Sequence, residues 1–200
     1  QGNFAAPRAI LNVLSEGYKV DFETACRIES RHFAELAESK ETKNMIKTFW
    51  YDFNAILKGT NRPKGYGKFR PRKVGVIGSG KMGSGIATAC AMKGMEVILK
   101  DISKSVAERG KSYAGKILDG LVDRGKITKE ERSELLDKIQ TTETATDFET
   151  CDLVIEAVFE NKNLKSKVLR EAESYMDEYS VFASNTSSIP ISKLAESSSR

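Results

Sequence analysis

Gly78, Gly80 and Gly83 stand in GxGxxG spacing, and Asp101 follows the last of them by 18 positions. These residue types at this spacing can hold a dinucleotide. Gly78 permits a tight turn, Gly80 has no Cβ and lets a pyrophosphate approach the backbone, and Gly83 lets a helix pack close to a sheet. Unpaired N–H groups at the start of that helix stabilise the phosphates without a basic side chain, which leaves Lys81 optional. Asp101 can accept the ribose hydroxyls of an adenosine and would repel a 2′-phosphate, so NAD is favoured over NADP. A flavin would use the same fingerprint.

By itself GxGxxG is a tight turn found in any protein, so the elements around it decide. Residues 73–77 alternate β-branched and small residues as a buried strand does and run directly into Gly78. Ile86, Ala87, Ala89, Cys90 and Met92 supply one apolar helical face, Gly94 offers the left-handed position that ends the helix, and residues 96–99 read as a second strand. The result is a βαβ unit with the acid at the end of its second strand.

Composition narrows the class. With 40% hydrophobic and 30% charged residues, the 200-residue chain reads as one or two soluble globular domains. No apolar run approaches a membrane span, and residues 1–7 lack the pattern of a signal peptide. Cys26, Cys90 and Cys151 match no metal spacing and read as reduced thiols, mostly in the core, in a cytoplasm-like compartment. The net charge of +4 is modest, and much of the basic excess falls between Lys58 and Lys73. No nucleic-acid-binding motif accompanies it, so it reads as a solvated linker.

Pro7 begins a short helix that Gly17 stops, and Asp21 can cap a second, with Ala25, Cys26, Phe33, Leu36 and Ala37 on one face. A third carries Met45, Ile46, Phe49, Trp50, Phe53, Ile56 and Leu57 and ends at Gly59. Three amphipathic helices in under 60 residues make too small a core to stand alone, so these stripes are expected to pack on something else. His32, the only histidine, has no catalytic constellation around it and reads as a surface or packing residue. Residues 59–72, rich in Gly, Pro, Lys and Arg, read as an inter-domain linker.

Beyond the second strand, residues 103–124 read as a long charged helix. Thr128 and Glu131 form a capping box for another helix ending near Ile139. The two should make a hairpin projecting from the sheet, its tip a candidate surface for substrate or partner. Residues 141–144 are a short strand candidate, 152–158 an apolar central strand, 161–176 a helix and 181–183 a further strand. That strand leads into the polar turn SNTSS, at the carboxyl end where ligands of open α/β sheets bind. The expected fold is α/β: a Rossmann-type doubly wound parallel sheet with a helical hairpin insertion, preceded by a small all-α segment.

The motifs GSGKMGSGIA after a strand, the acid at Asp101, AVFENKNLK from 157 to 165 and ASNTSSI from 183 to 189 occur in register. Together they resemble the NAD-binding half of a 3-hydroxyacyl-CoA dehydrogenase. The helices before Lys73 resemble the segment that joins the enoyl-CoA hydratase/isomerase module to the dehydrogenase in the multifunctional α-subunit of the fatty-acid oxidation complex. The resemblance implies that the Met82 amide region meets the pyrophosphate and Asp101 the adenosine ribose. It implies that Val158, Phe159 and Glu160 form the nicotinamide-side edge, with Lys165 near the cofactor. Asn185 and Ser187 correspond to residues that line the nicotinamide and the substrate hydroxyl; the position of Ser187 could also serve as a helix cap.

The resemblance implies oxidation of a 3-hydroxyacyl-CoA substrate with a His–Glu pair as base and, for the multifunctional α-subunit, a thiolase β-subunit as partner. The resemblance puts the His beyond Arg200 and the hydratase glutamates before Gln1, so the chain is expected to be an internal fragment, inactive alone. It implies residues 1–58 as the end of a hydratase module, 59–72 as a linker and 73–200 as the NAD-binding domain. A stand-alone 3-hydroxybutyryl-CoA dehydrogenase is a nearer rival, and a non-catalytic NAD-binding or interaction module is the alternative from another class.

Overall fold

The computed structural model describes residues 4–60, 62, 64, 65, 67 and 69–199. The chain divides into two compact units, Gln1–Gly67 and Lys68–Arg200. Of the expected linker, Asn61, Pro63, Tyr66 and Lys68 lie outside the described residues.

The first unit is helical: α1 Ala5–Gly17, α2 Phe22–Glu38, α3 Lys40–Ile46, a π-helical stretch Lys47–Asp52, and α4 Phe53–Lys58. Helix α1 starts two residues before Pro7, which sits in the first turn where its missing N–H costs nothing. Asp21 caps α2 by accepting from the Thr24 amide at 3.0 Å, and Gly59 ends α4 with φ 67°. None of the residues in these helices is buried, and Phe33, Phe49 and Trp50 are largely exposed. His32 lies between Glu16 (3.4 Å) and Glu35 (3.6 Å).

The second unit is a five-stranded parallel sheet in the order β3-β2-β1-β4-β5, where β1 is Lys73–Ile77, β2 Glu96–Lys100, β3 Ile139–Thr142, β4 Leu153–Glu156 and β5 Val181–Ser184. This is the expected Rossmann-type sheet. The helices are α5 Lys81–Met92, α6 Lys104–Val122, α7 Lys129–Asp137, α8 Lys162–Glu173 and α9 Ile191–Ala195.

Side-chain alternation sorts the strands onto two cores. Val74, Val76, Val97 and Leu99 pack with Ala87, Ala91 and Ala114. On the other face Ile77, Ile98 and Val154 pack with Phe148, Val168, Ala172 and Met176. Gly75 falls on this second face, where an added Cβ would come within 2.7 Å of the Phe148 ring. The ring fills the slot the missing side chain leaves.

Three expectations change. Strand β3 begins at Ile139, earlier than expected, because Ile139 is fully buried and pairs with Val97; the preceding helix ends at Asp137. Helix α6 does not project from the sheet. Its small residues Ala107, Gly110, Ala114 and Gly115 are buried, so it packs as the crossover between β2 and β3, while the tip at 123–126 stays exposed. Of the cysteines only Cys151 is buried, Cys90 is half-buried and Cys26 exposed. Burial pushes the Cys151 thiol up to about 11 and raises Cys90 as well, which keeps both protonated and unreactive. Among the described residues no helix is long and apolar enough to cross a membrane, and no His, Cys, Asp and Glu cluster could hold a metal.

Candidate functional site

Backbone hydrogen bonds carry the ladder one step past the strand ends. Asp101 N donates to Thr142 O (3.2 Å), Gly78 N to Lys100 O (2.8 Å), Ala157 N to Ile77 O (2.7 Å) and Asn185 N to Glu156 O (2.9 Å). Asp101, Gly78, Ala157 and Asn185 therefore form one row at the carboxyl edge. Strands β2 and β3 extend to one side of β1, β4 and β5 to the other, so a crevice opens between β1 and β4 where an α/β sheet binds its ligand.

The three glycines of the cradle have different physical duties. Gly78 has φ 95°, and a Cβ there would meet the Ala157 carbonyl oxygen at 2.8 Å. A Cβ on Gly83 would sit 2.9 Å from the Gly78 carbonyl carbon and overlap its oxygen outright. Gly80 faces open space, with nothing within 4 Å of the position a Cβ would take. It is also the N-cap of α5, and no side chain caps the helix. Helices α2, α3, α6, α7 and α8 carry a side-chain cap, respectively Asp21, Ser39, Ser103, Thr128 and Asn161, whereas α5, like α1, α4 and α9, has none, and a helix start of this kind can take an external anion. Met82, in that first turn, is 61% exposed at the lip of the crevice.

Asp101 is tied to the same turn. Its Oδ2 accepts from the Ser79 amide and hydroxyl, both at 2.6 Å, and its Oδ1 from the Ile102 amide at 2.7 Å. Burial pushes the carboxyl up, but these bonds outweigh it and hold Asp101 below the usual aspartate range. A carboxylate offers about four acceptor positions, and three are taken. One acceptor position stays open, and the Ser79 hydroxyl has a second acceptor, Val106 O at 3.1 Å, so turning toward it would open another.

The β4–β5 side is polar and partly open. Phe159 is exposed and Val158 half-buried, whereas Lys165 is 1% exposed. Its ammonium is bonded to Glu156 and lies 3.3 Å from Glu160 Oε2. Glu160 Oε1 accepts from the Thr186 hydroxyl (2.6 Å), the Ser187 amide (3.1 Å), and the Ser188 amide (3.0 Å) and hydroxyl (2.8 Å). Those bonds, the Thr186 hydroxyl foremost, hold the Glu160 carboxyl well below the ordinary glutamate range. The Thr186 hydroxyl also accepts from the Ile189 amide within this turn, and no side chain, Ser187 included, caps α9. Ser187 and Asn185 are exposed, and their side chains bond to no other described residue, so both are free to meet a ligand.

Sequence reasoning missed Ser79, Thr186 and Glu156. The first two lie inside the recognised motifs, but their side-chain partners, Asp101 and Glu160, are far away in the chain. Glu156 did carry a signal: a lone acid at an inward position of an apolar strand needs a buried partner. A concavity of about 650 Å³ around Arg70, Arg72, Lys93 and Met95 lies at the amino edge of the sheet and contains none of these residues.

Residues 73–200 match the model of the 3-hydroxyacyl-CoA dehydrogenase NAD-binding domain. The fatty acid oxidation complex subunit alpha of Shewanella amazonensis is 36% identical over all of this chain, and that of Psychrobacter cryohalolentis 34% over 98% of it. The chain spans only 28% and 27% of their lengths. The crystal structure of the (S)-3-hydroxybutyryl-CoA dehydrogenase of Ralstonia eutropha superposes with TM-score 0.64 at 40% identity, covering 66% of this chain and 46% of that one. The 3-hydroxybutyryl-CoA dehydrogenase of Escherichia coli gives 0.61 at 33%, covering 64% and 27%. The cradle fits the cofactor of that family, which is NAD. Because the matched stretch takes in well over half of its residues, the chain belongs to the 3-hydroxyacyl-CoA dehydrogenase family and carries that family's NAD-binding domain.

Proposed function

We propose that this chain is the cofactor-holding part of an enzyme that oxidises 3-hydroxyacyl-CoA to 3-oxoacyl-CoA in fatty-acid β-oxidation, within a multifunctional hydratase/dehydrogenase. One observation carries the choice over a stand-alone dehydrogenase. The complex α-subunit matches all of the chain, helical unit included, whereas the separate dehydrogenases cover about two thirds. On this reading residues 1–58 end a hydratase/isomerase module, 59–72 are a linker, and a thiolase β-subunit is the partner.

The amides opening α5 at Lys81 and Met82 would bind the pyrophosphate, with Gly80 admitting it to the backbone. Asp101 would accept from the adenosine ribose. Val158, Phe159 and Glu160 would border the nicotinamide, with Lys165 behind them. The Asn185 amide and Ser187 hydroxyl would orient the nicotinamide and the substrate hydroxyl. When bound, NAD supplies the acceptor for the hydride leaving carbon 3. A base must take the hydroxyl proton, and the only histidine, His32, is held by Glu16 and Glu35 in the helical unit. The imidazole base would come from outside residues 1–200.

Two measurements test this. Calorimetric titration should show NAD binding and much weaker NADP binding. NADH formation from 3-hydroxyacyl-CoA, followed by absorbance, should be undetectable with residues 1–200 and appear when the chain is extended past Arg200. Comparable turnover in the two would overturn the assignment of the base.

A further inference from the structure

Behind the turn that carries Asn185 and Ser187 lies a group of charges whose buried members, Glu156 and Lys165, take no step in the proposed chemistry. Glu156, at the end of β4, is fully buried. Lys165 on α8 donates to its Oε1 at 2.8 Å and Oε2 at 3.0 Å, and also lies 3.3 Å from the Val158 carbonyl oxygen and 3.3 Å from Glu160 Oε2. Glu156 also accepts from the Ser184 hydroxyl on β5 and from the Val158 amide. The chain of contacts then continues outward, because the other oxygen of Glu160 gathers the donors of Thr186, Ser187 and Ser188.

Stability alone does not call for such an arrangement. A buried ion pair replaced by apolar residues of similar volume is often neutral or stabilising. An apolar pair could not do what Lys165 does here: its N–H groups go to the buried Glu156 carboxylate and the Val158 carbonyl, while its charge also lies 3.3 Å from Glu160 at the surface. Glu156 is held on three sides by β4, β5 and α8, so it is the fixed end. Glu160, 36% exposed by side chain, is the end that would otherwise turn freely.

We infer that Lys165 is a positioning residue: braced on Glu156, it aims Glu160 at residues 186–188 and so sets where the Asn185 amide and the Ser187 hydroxyl stand in the crevice. The effect on the cofactor rests on the functional reading given above; the effect on the turn does not. A matched pair on the same face and the same helix supplies the contrast. Lys100 of β2 meets Glu171 of α8 at 3.2 Å, and neither touches the turn.

The test uses the 200-residue chain, nitrogen-15 labelled and without cofactor. Lys165→Met alone strands a buried carboxylate and is expected to lose much of the fold, so the informative variant is the double Glu156→Gln/Lys165→Met, which removes both charges. Its melting should remain cooperative, while the Ser187 and Ser188 amide resonances leave the downfield positions of carboxylate-bonded N–H groups. Their solvent exchange should quicken by about tenfold. Glu160→Gln should move the same two resonances without threatening the fold, and Glu171→Gln should move neither. NAD affinity of the double variant should fall about tenfold. Unchanged Ser187 and Ser188 amides in a folded double variant would overturn the inference. Amides that move while NAD affinity holds would uphold it and refute the placing of the nicotinamide beside this turn.

Discussion

Gly80→Ala and Gly83→Ala, three residues apart in one motif, should fail in opposite ways. At Gly83 the new methyl overlaps a backbone carbonyl, and its carbon lies 2.9 Å from that carbonyl's carbon where roughly 3.5 Å is comfortable. No flexible side chain can yield, so either the 78–80 turn or the first turn of α5 must move. Overpacking of this kind costs about 1–3 kcal/mol, a sizeable part of a total stability of about 5–15. At Gly80 the methyl meets nothing within 4 Å and φ is −66°, which any residue adopts. Alanine is a poorer N-cap than glycine by up to about 1 kcal/mol, and it gains about 0.4–1 kcal/mol by narrowing the unfolded ensemble, so the net is near zero. The methyl would instead stand over the amides at Lys81 and Met82 and block one or two charge-assisted hydrogen bonds worth about 1.5–3 kcal/mol each. NAD affinity should then fall by about tenfold to a hundredfold or more. Urea denaturation and calorimetric titration separate the outcomes: a lower midpoint for Gly83→Ala, and a wild-type midpoint with weak binding for Gly80→Ala. If Gly80→Ala binds NAD as tightly as wild type, the pyrophosphate does not sit on this helix and the cradle is misread.

Asp101→Asn should narrow the preference for NAD over NADP by about tenfold or more, because like-charge repulsion of the 2′-phosphate disappears; an unchanged ratio of dissociation constants would exclude Asp101 as the discriminator. Phe148→Ala empties a fully buried site against Gly75 and should cost about 3–5 kcal/mol by denaturant titration, far more than a surface substitution. Glu160 has a carboxyl depressed by its partners, so its stabilising effect is complete above the ordinary glutamate pKa of about 4.3 and is lost as pH falls toward the lower folded value. Glu160→Gln should therefore be less stable than wild type at neutral pH, with the gap closing in acid; a gap that widens in acid would contradict the assignment.

The cradle was legible because each glycine reports on backbone geometry, which is local. Gly78 at φ 95° and the crowding at Gly83 are consequences of a strand turning at once into a helix, and GxGxxG encodes that turn. Parallel strands were legible for a similar reason, since residues 73–77 and 152–158, the latter holding β4 at Leu153–Glu156, are largely apolar runs of strand length separated by helical periods. What depends on distant partners was not. Nothing near Asp101 in the chain says that Ser79 would hold its carboxylate, and nothing near Lys165 says that its charge would be spent on Glu156. The start of β3 was missed because Ile139 fits both the end of a helical stripe and the start of a buried strand, and only pairing with Val97 decides. Cys90 was expected in the core and is half-buried, since small residues on α5 face the sheet and Cys90 lies beside that face.

The fit of Phe148 over Gly75 also shapes how sequences of this fold can diverge. A side chain at 75 is barred while the ring is present, and a small residue at 148 leaves a void while the glycine remains. Each change is harmful alone and tolerable after the other, so the two positions are expected to be inherited as a pair. A lineage crosses from one solution to another only through an intermediate weakened by a few kcal/mol. Position 75 lies on the strand that feeds the cofactor turn, and this constraint therefore preserves the approach to Gly78 even where the cofactor itself exerts no selection.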